Sequence, residues 1–380
     1  MKTSRRLTLF PEYIFSRLAR QVADVEKRTG RKVLSFGAGS PDFPPSQLFI
    51  NKLKEFIDLP SSYLYPGYGA IPEFASAMQV WYKKRFNVTL ETNELLPLLG
   101  SRDGIAHLPL ALCDEGDEIL IPDPGYPAYS GPASMIVVKP VMYNLTEKRN
   151  FMIDIGELER KVTRQTKYLW VNFPSNPTGR VADISILQPL VDFARRHRIW
   201  LIYDNAYSEI TFDGFVAPSI LEISGAKDVA VEFGSFSKMF SFAGFRMGWI
   251  VGNSHIIEAL AKIKSHMDSG MMKPLQQLGA FALTHIDRIW HNQMIESYKK
   301  RRDIIINRFK SIGLEAIKSP GSLYLWVKIP NEYDDSETFS TVLLERKHIL
   351  VTPGTAFGKN GKHFVRISFC VNIDIIDQYF

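Results

Sequence analysis

Apolar residues follow two rhythms along this chain. Short apolar runs recur at Val33–Phe36, Leu95–Leu99, Glu118–Ile121, Val137–Tyr143, Lys167–Asn172, Ile199–Tyr203 and Val229–Phe233. Their length and near-continuous hydrophobicity predict strands buried on both faces. Between them the spacing turns helical. Phe10, Tyr13, Ile14, Leu18, Val22 and Val25 predict a helix over 10–28, ended by Gly30. Further helices are predicted over Leu48–Ile57, Phe74–Phe86, Ile105–Leu112 and Ile184–His197. Strands alternating with helices predict an α/β fold, with a mainly parallel sheet covered by helices on both sides. The pattern then changes. His255–His285 reads as one long helix linking two domains, interrupted around Asp268-Ser269-Gly270, and Ile286–Ile312 reads as another helix. Strands are expected at Ala316–Val327, Ile349–Val351 and Phe364–Phe369, as in an α+β unit. No Pro/Ser-rich linker separates the halves, and neither terminal segment has enough apolar residues for its own core. The expected division is a large domain over 45–270 and a smaller one from 1–44 plus 271–380.

In covered parallel sheets, ligands bind beyond the carboxyl ends of the strands. Chemistry-bearing residues stand at five of those ends here: the Gly100–Gly104 turn, Tyr126, Asn176, Asp204 with Tyr207, and Lys238. The stretch Leu95–Leu112 runs from an apolar strand through Gly100-Ser101-Arg102-Asp103-Gly104 into an apolar helix. Free N–H groups and the helix dipole make that a phosphate site. It is not a nucleoside-triphosphate loop, because no GxxxxGK[ST] occurs. Gly37 and Gly39 mark a loop whose backbone can approach a ligand closely. In Gly234–Trp249, GSFSKMFSFAGFRMGW, Lys238 lies among apolar and small residues with Arg246 eight positions on. Desolvation and a neighbouring guanidinium lower a lysine pKa, which makes a nucleophile able to form a Schiff base. The plainer reading is a lysine snorkelling from a loop into water. Tyr63, Tyr65 and Tyr68 crowd six residues of SSYLYPGYGAIPEF, as either a binding or subunit surface or a packed loop.

Composition narrows the class without choosing the chemistry. The 380 residues are 45% hydrophobic and 23% charged, with a net charge of +6. That is ordinary for a globular chain with one large and one smaller domain. The densest basic patches, Arg195–Arg198 and Lys299–Arg302, fall at the ends of amphipathic segments, so they read as solvated helix ends rather than a nucleic-acid surface. Two distant cysteines, Cys113 and Cys370, exclude a disulfide framework and a Cys-rich metal site, and suggest a reducing, cytoplasmic setting. The start has positive charge but no sustained apolar stretch, so no signal peptide is expected. No run of about 18 apolar residues occurs, so no transmembrane helix is expected either.

Taken together, GAGSPDF, YPGYGAIPEF, GSRDGI, PDPGYPAY, NFPSNPTG, YDNAY, SFSKMFSFAGFRMGW and FVRISF resemble, in order, the fold-type I pyridoxal-phosphate-dependent class I/II aminotransferases. The resemblance runs from about Pro11 to Phe369 and implies a seven-stranded-type sheet with pyridoxal 5′-phosphate as cofactor. It implies that Lys238 holds the cofactor as a Schiff base and later moves the Cα proton. Asp204 would pair with the pyridinium nitrogen, keeping the ring an electron sink. Tyr207 and Asn176 would bond the ring 3-oxygen, and Tyr126 would stack on the ring. Ser101, Arg102, Ser235 and Arg246 would hold the phosphate, where a guanidinium fork suits a dianion. Tyr65 matches the tyrosine that reaches the phosphate of a neighbouring subunit, which implies a homodimer with shared sites. Arg366 would bind the substrate α-carboxylate, helped by Asn176 and the Gly39 backbone; otherwise it is a strand arginine in a surface ion pair. The small domain would close over the substrate.

PEYIFSRL, GSRDGIAHLPLAL and Asp268-Ser269-Gly270 with Gln276 or Gln277 look most like the LL-diaminopimelate aminotransferase group, in which Tyr13 would also line the site. Arg102 replaces that group's usual lysine. Gly69 and Ala70 stand where it usually carries a glutamate that reads the distal ammonium. Aspartate, alanine or another amino acid therefore stays open as donor. The chain ends at Phe380, whereas the family's final helix generally runs longer. The implied reaction is ping-pong transfer of an α-amino group to a 2-oxo acid. A β-lyase or decarboxylase on the same fold is the alternative, and a non-catalytic cofactor-binding regulator is the remaining one. No metal, nucleic-acid or membrane partner is expected.

Overall fold

The computed structural model describes residues 2–10 and 12–380. Met1 and Pro11, the latter within the expected 10–28 helix and at the start of the resemblance, lie outside the described residues. The strands, in chain order, are β1 Leu34–Ser35, β2 Leu95–Leu98, β3 Glu118–Asp123, β4 Lys139–Asn144, β5 Thr166–Asn172, β6 Trp200–Asp204, β7 Ala230–Ser235, β8 Gly248–Gly252, β9 Glu315–Ile317, β10 Tyr324–Lys328, β11 Ile349–Leu350, β12 Thr352–Pro353 and β13 Phe364–Ser368.

The central sheet has seven strands in the order β2-β8-β7-β6-β5-β3-β4. Neighbours from β7 through β4 pair in parallel, while β8 runs antiparallel to both β7 and β2. The expected mainly parallel sheet is therefore present. The apolar run Trp249–Val251 supplies its one reversed strand. Val171, Leu201, Tyr203 and Val251 feed one core layer, and Trp170, Ile202, Val231 and Ile250 feed the other. Alternate residues thus enter opposite layers, both of them dry, which explains why these strands show no polar alternation.

Element ends follow the local chemistry of the sequence. The first long helix covers Ile14–Thr29 and stops at Gly30, whose φ of 69° admits the left-handed turn. It begins later than the 10–28 pattern suggested, because Tyr13 is already extended at its N-cap. The helical stretch expected over His255–His285, interrupted around Asp268-Ser269-Gly270, is two helices, Ser254–Lys264 and Lys273–Thr284, separated at that interruption. Pro274 opens the second, where a missing N–H does no harm. The single strand expected over Ala316–Val327 is also two, β9 and β10, which pair antiparallel. The SPGS stretch at 319–322 breaks the run, with Ser322 at φ 69°.

A four-stranded sheet, β12-β13-β10-β9, forms the second unit. The N-terminal segment joins it as expected. β1 pairs in parallel with β11, and Leu18 and Val25 share a small core with Leu344 and Leu350. Arg17–Glu337 and Arg28–Glu345 ion pairs lie beside that core.

One contact fixes the rim of the large sheet. β8 passes so close to the turn after β2 that a Cβ on Gly248 would lie 2.5 Å from the Ser101 backbone nitrogen. Gly248→Ala must therefore push strand and turn apart. The substitution is expected to lower stability by about 1–3 kcal/mol, as overpacked cores do, read as a fall in the urea midpoint of the purified protein.

Candidate active site

The strands β2, β3, β5, β6 and β7 all run the same way, so their carboxyl ends open on one rim. A cavity of about 580 Å³ lies there. Tyr13, Gly39, Ser101, Arg102, Tyr126, Asn176, Asp204, Tyr207, Ser235, Lys238, Arg246 and Arg366 all line it. Every site residue named from the sequence is thus brought together except Tyr65. That side chain is 88% exposed on the loop at 63–68, beside the also exposed Tyr63 and Tyr68.

Lys238 sits on the short helix Phe236–Met239, which begins directly where β7 ends. It is half-buried. Its Nζ donates to the Gly39 carbonyl at 2.7 Å and lies 5.5 Å from the centre of the Tyr207 ring. Held against the Gly39 carbonyl and half-buried, it does not fit the snorkelling picture of a lysine reaching into bulk water. Gly39 approaches because it has no side chain: a Cβ there would fall 1.9 Å from the Tyr324 hydroxyl.

Asp204 ends β6 and is buried. Tyr129 donates to its Oδ2 at 2.6 Å, and the Ala206 N–H reaches Oδ1 at 3.2 Å. Burial pushes its carboxyl above the ordinary value, and those two hydrogen bonds and the charge of Lys238 only partly offset this. Asn172 donates to the Asp204 carbonyl and accepts from the Asn176 N–H, both at 2.8 Å, so two adjacent strand ends are tied. Tyr129 is itself stacked on Trp170, with ring centres 4.4 Å apart.

The turn after β2 has the shape of an anion cradle. Gly100 has φ 80°, and the helix Ser101–Leu112 presents its free amino end. A Cβ on Gly100 would lie 2.4 Å from an Arg246 guanidinium nitrogen. Arg246 holds the left-handed φ of 55°, unusual for an arginine, and donates to the Ala243 carbonyl at 2.8 Å. Ser101 Oγ donates to the Gly234 carbonyl at 2.8 Å, locking the turn to the end of β7. The Arg102 guanidinium lies 4.5 Å from the centre of the Tyr13 ring. Among the described residues, neither Arg102 nor Arg246 has a carboxylate partner.

Arg366, on β13, is 2% exposed, which removes the surface ion-pair reading. It donates to Asn176 Oδ1 at 2.9 Å and to the Gly37 carbonyl at 2.6 Å. Its guanidinium packs on Tyr324, Phe357 and Phe15. Its Nε has no partner, and no carboxylate lies near it among the described residues. A guanidinium buried without a counter-charge is unfavourable unless a ligand completes it.

Two residues of the site carried no motif signal. Tyr324 hydrogen-bonds the Tyr207 hydroxyl at 2.9 Å and packs 4.2 Å from the Arg366 guanidinium. Nothing in its β-strand context distinguishes it. Tyr129 lies inside PDPGYPAY, three residues after Tyr126, and only the fold shows that it reaches Asp204.

The cavity therefore holds Lys238, Arg102, Arg246 and Arg366 against one carboxyl, Asp204, a balance suited to an anionic ligand. The turn, the orphan Arg366 Nε and the glycine cradle fit a phosphorylated aromatic aldehyde together with a carboxylate. Comparison with known proteins agrees. The sequence profile described as aminotransferase class I and II matches residues 31–378. This chain belongs to that family. It is 38% identical to an LL-diaminopimelate aminotransferase of Halothermothrix orenii, over all of this chain and 97% of the relative. It is 37% identical to the enzyme of that name from Moorella thermoacetica, over 98% of this chain and 95% of the relative. The solved structure of apo BacF from Bacillus subtilis superposes with a TM-score of 0.94 at 33% identity, covering all of this chain and 96% of that one. The protein is thus a pyridoxal-phosphate-dependent aminotransferase of fold type I. The cofactor supplies an electron sink for the Cα carbanion.

The raised pKa of Asp204 gives a signed prediction for the cofactor-free protein. A carboxyl bound more tightly to its proton when folded lowers stability as pH rises from its unfolded value through its folded one. Asp204→Asn is therefore expected to unfold at higher denaturant than wild type at pH 7, with the difference shrinking towards pH 4. Paired urea titrations across that range test this, and a variant less stable at pH 7 contradicts it.

Proposed function

We propose that Lys238 carries the cofactor and moves the Cα proton of an amino-acid substrate in a ping-pong transamination. The observation that supports this is the single cavity in which Lys238, Asp204 and Arg366 meet. In this reading the Asp204 carboxylate would accept from the pyridinium N–H and so keep the ring protonated, and Tyr129 fixes the carboxylate's orientation. Asn176 and Tyr207 bond the ring oxygen, and Tyr126 covers one ring face. Ser101, the backbone at Arg102, Ser235 and Arg246 receive the phosphate. Arg366 binds the α-carboxylate, with Asn176 and the Gly39 backbone positioning it. Tyr13 closes the outer wall. Residues 45–270 serve as the cofactor domain, and 1–44 with 271–380 as the smaller domain that closes over the substrate.

Tyr65 has no role within its own chain's cavity, and its exposure fits a contribution to the site of a second copy. A homodimer with shared sites is the corresponding proposal, in a cytoplasmic setting. No helix among the described residues is long and apolar enough to cross a membrane.

For the substrate, the side-chain inventory favours anionic donors and acceptors. Among the described residues, Asp204 is the one acidic residue lining the cavity, and Tyr129 donates to it. Gly69 and Ala70 replace the glutamate expected of a diaminopimelate site. The Arg102 guanidinium also lines the cavity, 4.5 Å from the centre of the Tyr13 ring. Aspartate or glutamate with 2-oxoglutarate therefore heads the candidate pairs, ahead of diaminopimelate and alanine.

The core of the proposal is tested with Lys238→Ala. That variant is expected to lose the visible absorbance of the cofactor-loaded protein and turnover by at least about a thousandfold; a coloured variant after reduction and dialysis contradicts the assignment. The substrate class is tested by adding single amino acids to the loaded enzyme and following the spectral half-reaction. Arg102→Met should weaken aspartate or glutamate about tenfold or more while changing alanine little. Release of ammonia and pyruvate from a cysteine-like substrate, with no half-reaction, would favour the β-lyase instead.

A further inference from the structure

Lys264 ends the helix Ser254–Lys264 and is only 3% exposed. It lines no part of the cavity, yet its ammonium is held between two carboxylates. Nζ donates to Asp103 Oδ2 and, at 2.7 Å, to Asp268 Oδ2. An ammonium taken out of water is retained only where its partners are fixed, and here the two partners belong to different functional segments.

Asp103 belongs to the phosphate-type turn. Its Oδ2 accepts the Leu99 N–H at 2.9 Å, one residue before Gly100, and its Oδ1 meets His107 Nδ1 at 2.8 Å. Burial pushes this carboxyl up, but the bonds from His107 and Lys264 hold it below its ordinary value. Asp103 thus stays an anion that grips the backbone on which Ser101 and Arg102 are mounted.

Asp268 belongs to the tyrosine loop's support. Its Oδ1 accepts the Gly270 N–H at 2.8 Å. Gly270, at φ 90°, presses so tightly on the loop that a Cβ would lie 1.9 Å from the Gly67 carbonyl oxygen. Gln276, fully buried, finishes the clamp by accepting from the Ile71 N–H at 2.8 Å and donating to the Met271 carbonyl at 2.9 Å. The loop that carries Tyr63, Tyr65 and Tyr68 is therefore seated on Asp268–Gly270.

We propose that Lys264 is a positioning residue that joins the phosphate turn Leu99–Arg102 to the tyrosine loop 63–71, through Asp103 on one side and Asp268 on the other. The two segments then shift together. Occupation of the turn by a phosphate stiffens the loop, and a loosened loop loosens the turn. This rests on the reading of the turn as the cofactor-phosphate site.

The experiment uses purified full-length protein freed of cofactor and titrated separately with pyridoxal phosphate and with pyridoxal, which lacks the phosphate. Lys264→Met is expected to weaken pyridoxal phosphate about tenfold or more while changing pyridoxal less than about twofold, and Lys264→Arg should restore most of the loss. Hydrogen–deuterium exchange of the peptide spanning 66–71 should rise at least about fivefold in Lys264→Met and in Asp268→Asn. Asp268→Asn keeps the Lys264–Asp103 pair and carries the loop half of the test by itself if Lys264→Met does not fold. Equal loss for both ligands would mean general destabilisation and overturn the proposal. So would an unchanged ratio of the two affinities, or unchanged loop exchange in Asp268→Asn. Wild-type protein that binds pyridoxal as tightly as pyridoxal phosphate would instead overturn the phosphate reading of the turn, and this inference with it.

Discussion

The Asp204 carboxyl sits at the end of a strand flanked on both sides by other buried strands, and its own burial works against its charge. A doubly covered sheet can hold such a group only at a strand end, where the backbone ladder stops and loops supply donors. Tyr129 and the Ala206 amide are those donors here. Tyr129 is in turn held by stacking on Trp170, a residue of the neighbouring strand. The carboxyl is thus oriented by two layers of structure before any ligand arrives.

The same logic extends around the rim. Asn172 ties the ends of β5 and β6, Ser101 ties the turn after β2 to the end of β7, and Gly248 lets β8 press against that turn. Arg366 comes from the second sheet and meets Asn176 in the loop after β5. This bond spans the two units at the point where a substrate carboxylate would be read. The second sheet also contributes Tyr324, which contacts both the Tyr207 hydroxyl and the Arg366 guanidinium. One tyrosine thus touches both groups.

Positive charge is concentrated without internal neutralisation. Arg366 is buried without a carboxylate partner among the described residues, and the exposed Arg102 and Arg246 at the same cavity lack one too, whereas the buried Arg302 pairs with Asp213 and Asp303. A protein that leaves guanidinium groups unpaired at one cavity has prepared that cavity for anions. Lys264 shows the contrasting solution, a buried cation fully paired and used to hold backbone in place.

Much of this was readable from the residues alone. Continuous apolar runs at Lys167–Asn172 and Ile199–Tyr203 implied a parallel sheet, because only strands buried on both faces lose polar alternation. The alternation of runs with helical spacing then placed the chemistry-bearing residues at strand ends, and their order carried the family resemblance. Local rules also located Gly30 as a helix end, since only a residue free of a Cβ takes that turn easily. Tertiary structure decided the rest. The reversed strand β8 and the split of Ala316–Val327 into a hairpin depend on contacts far along the chain. Tyr324 and Tyr129 acquire their roles through register and packing, which short-range patterns do not encode. Lys264 is the plainest case. As a sequence feature it is one more lysine at a helix end with Asp268 four residues on; only the fold brings Asp103, 161 residues away, to the same ammonium.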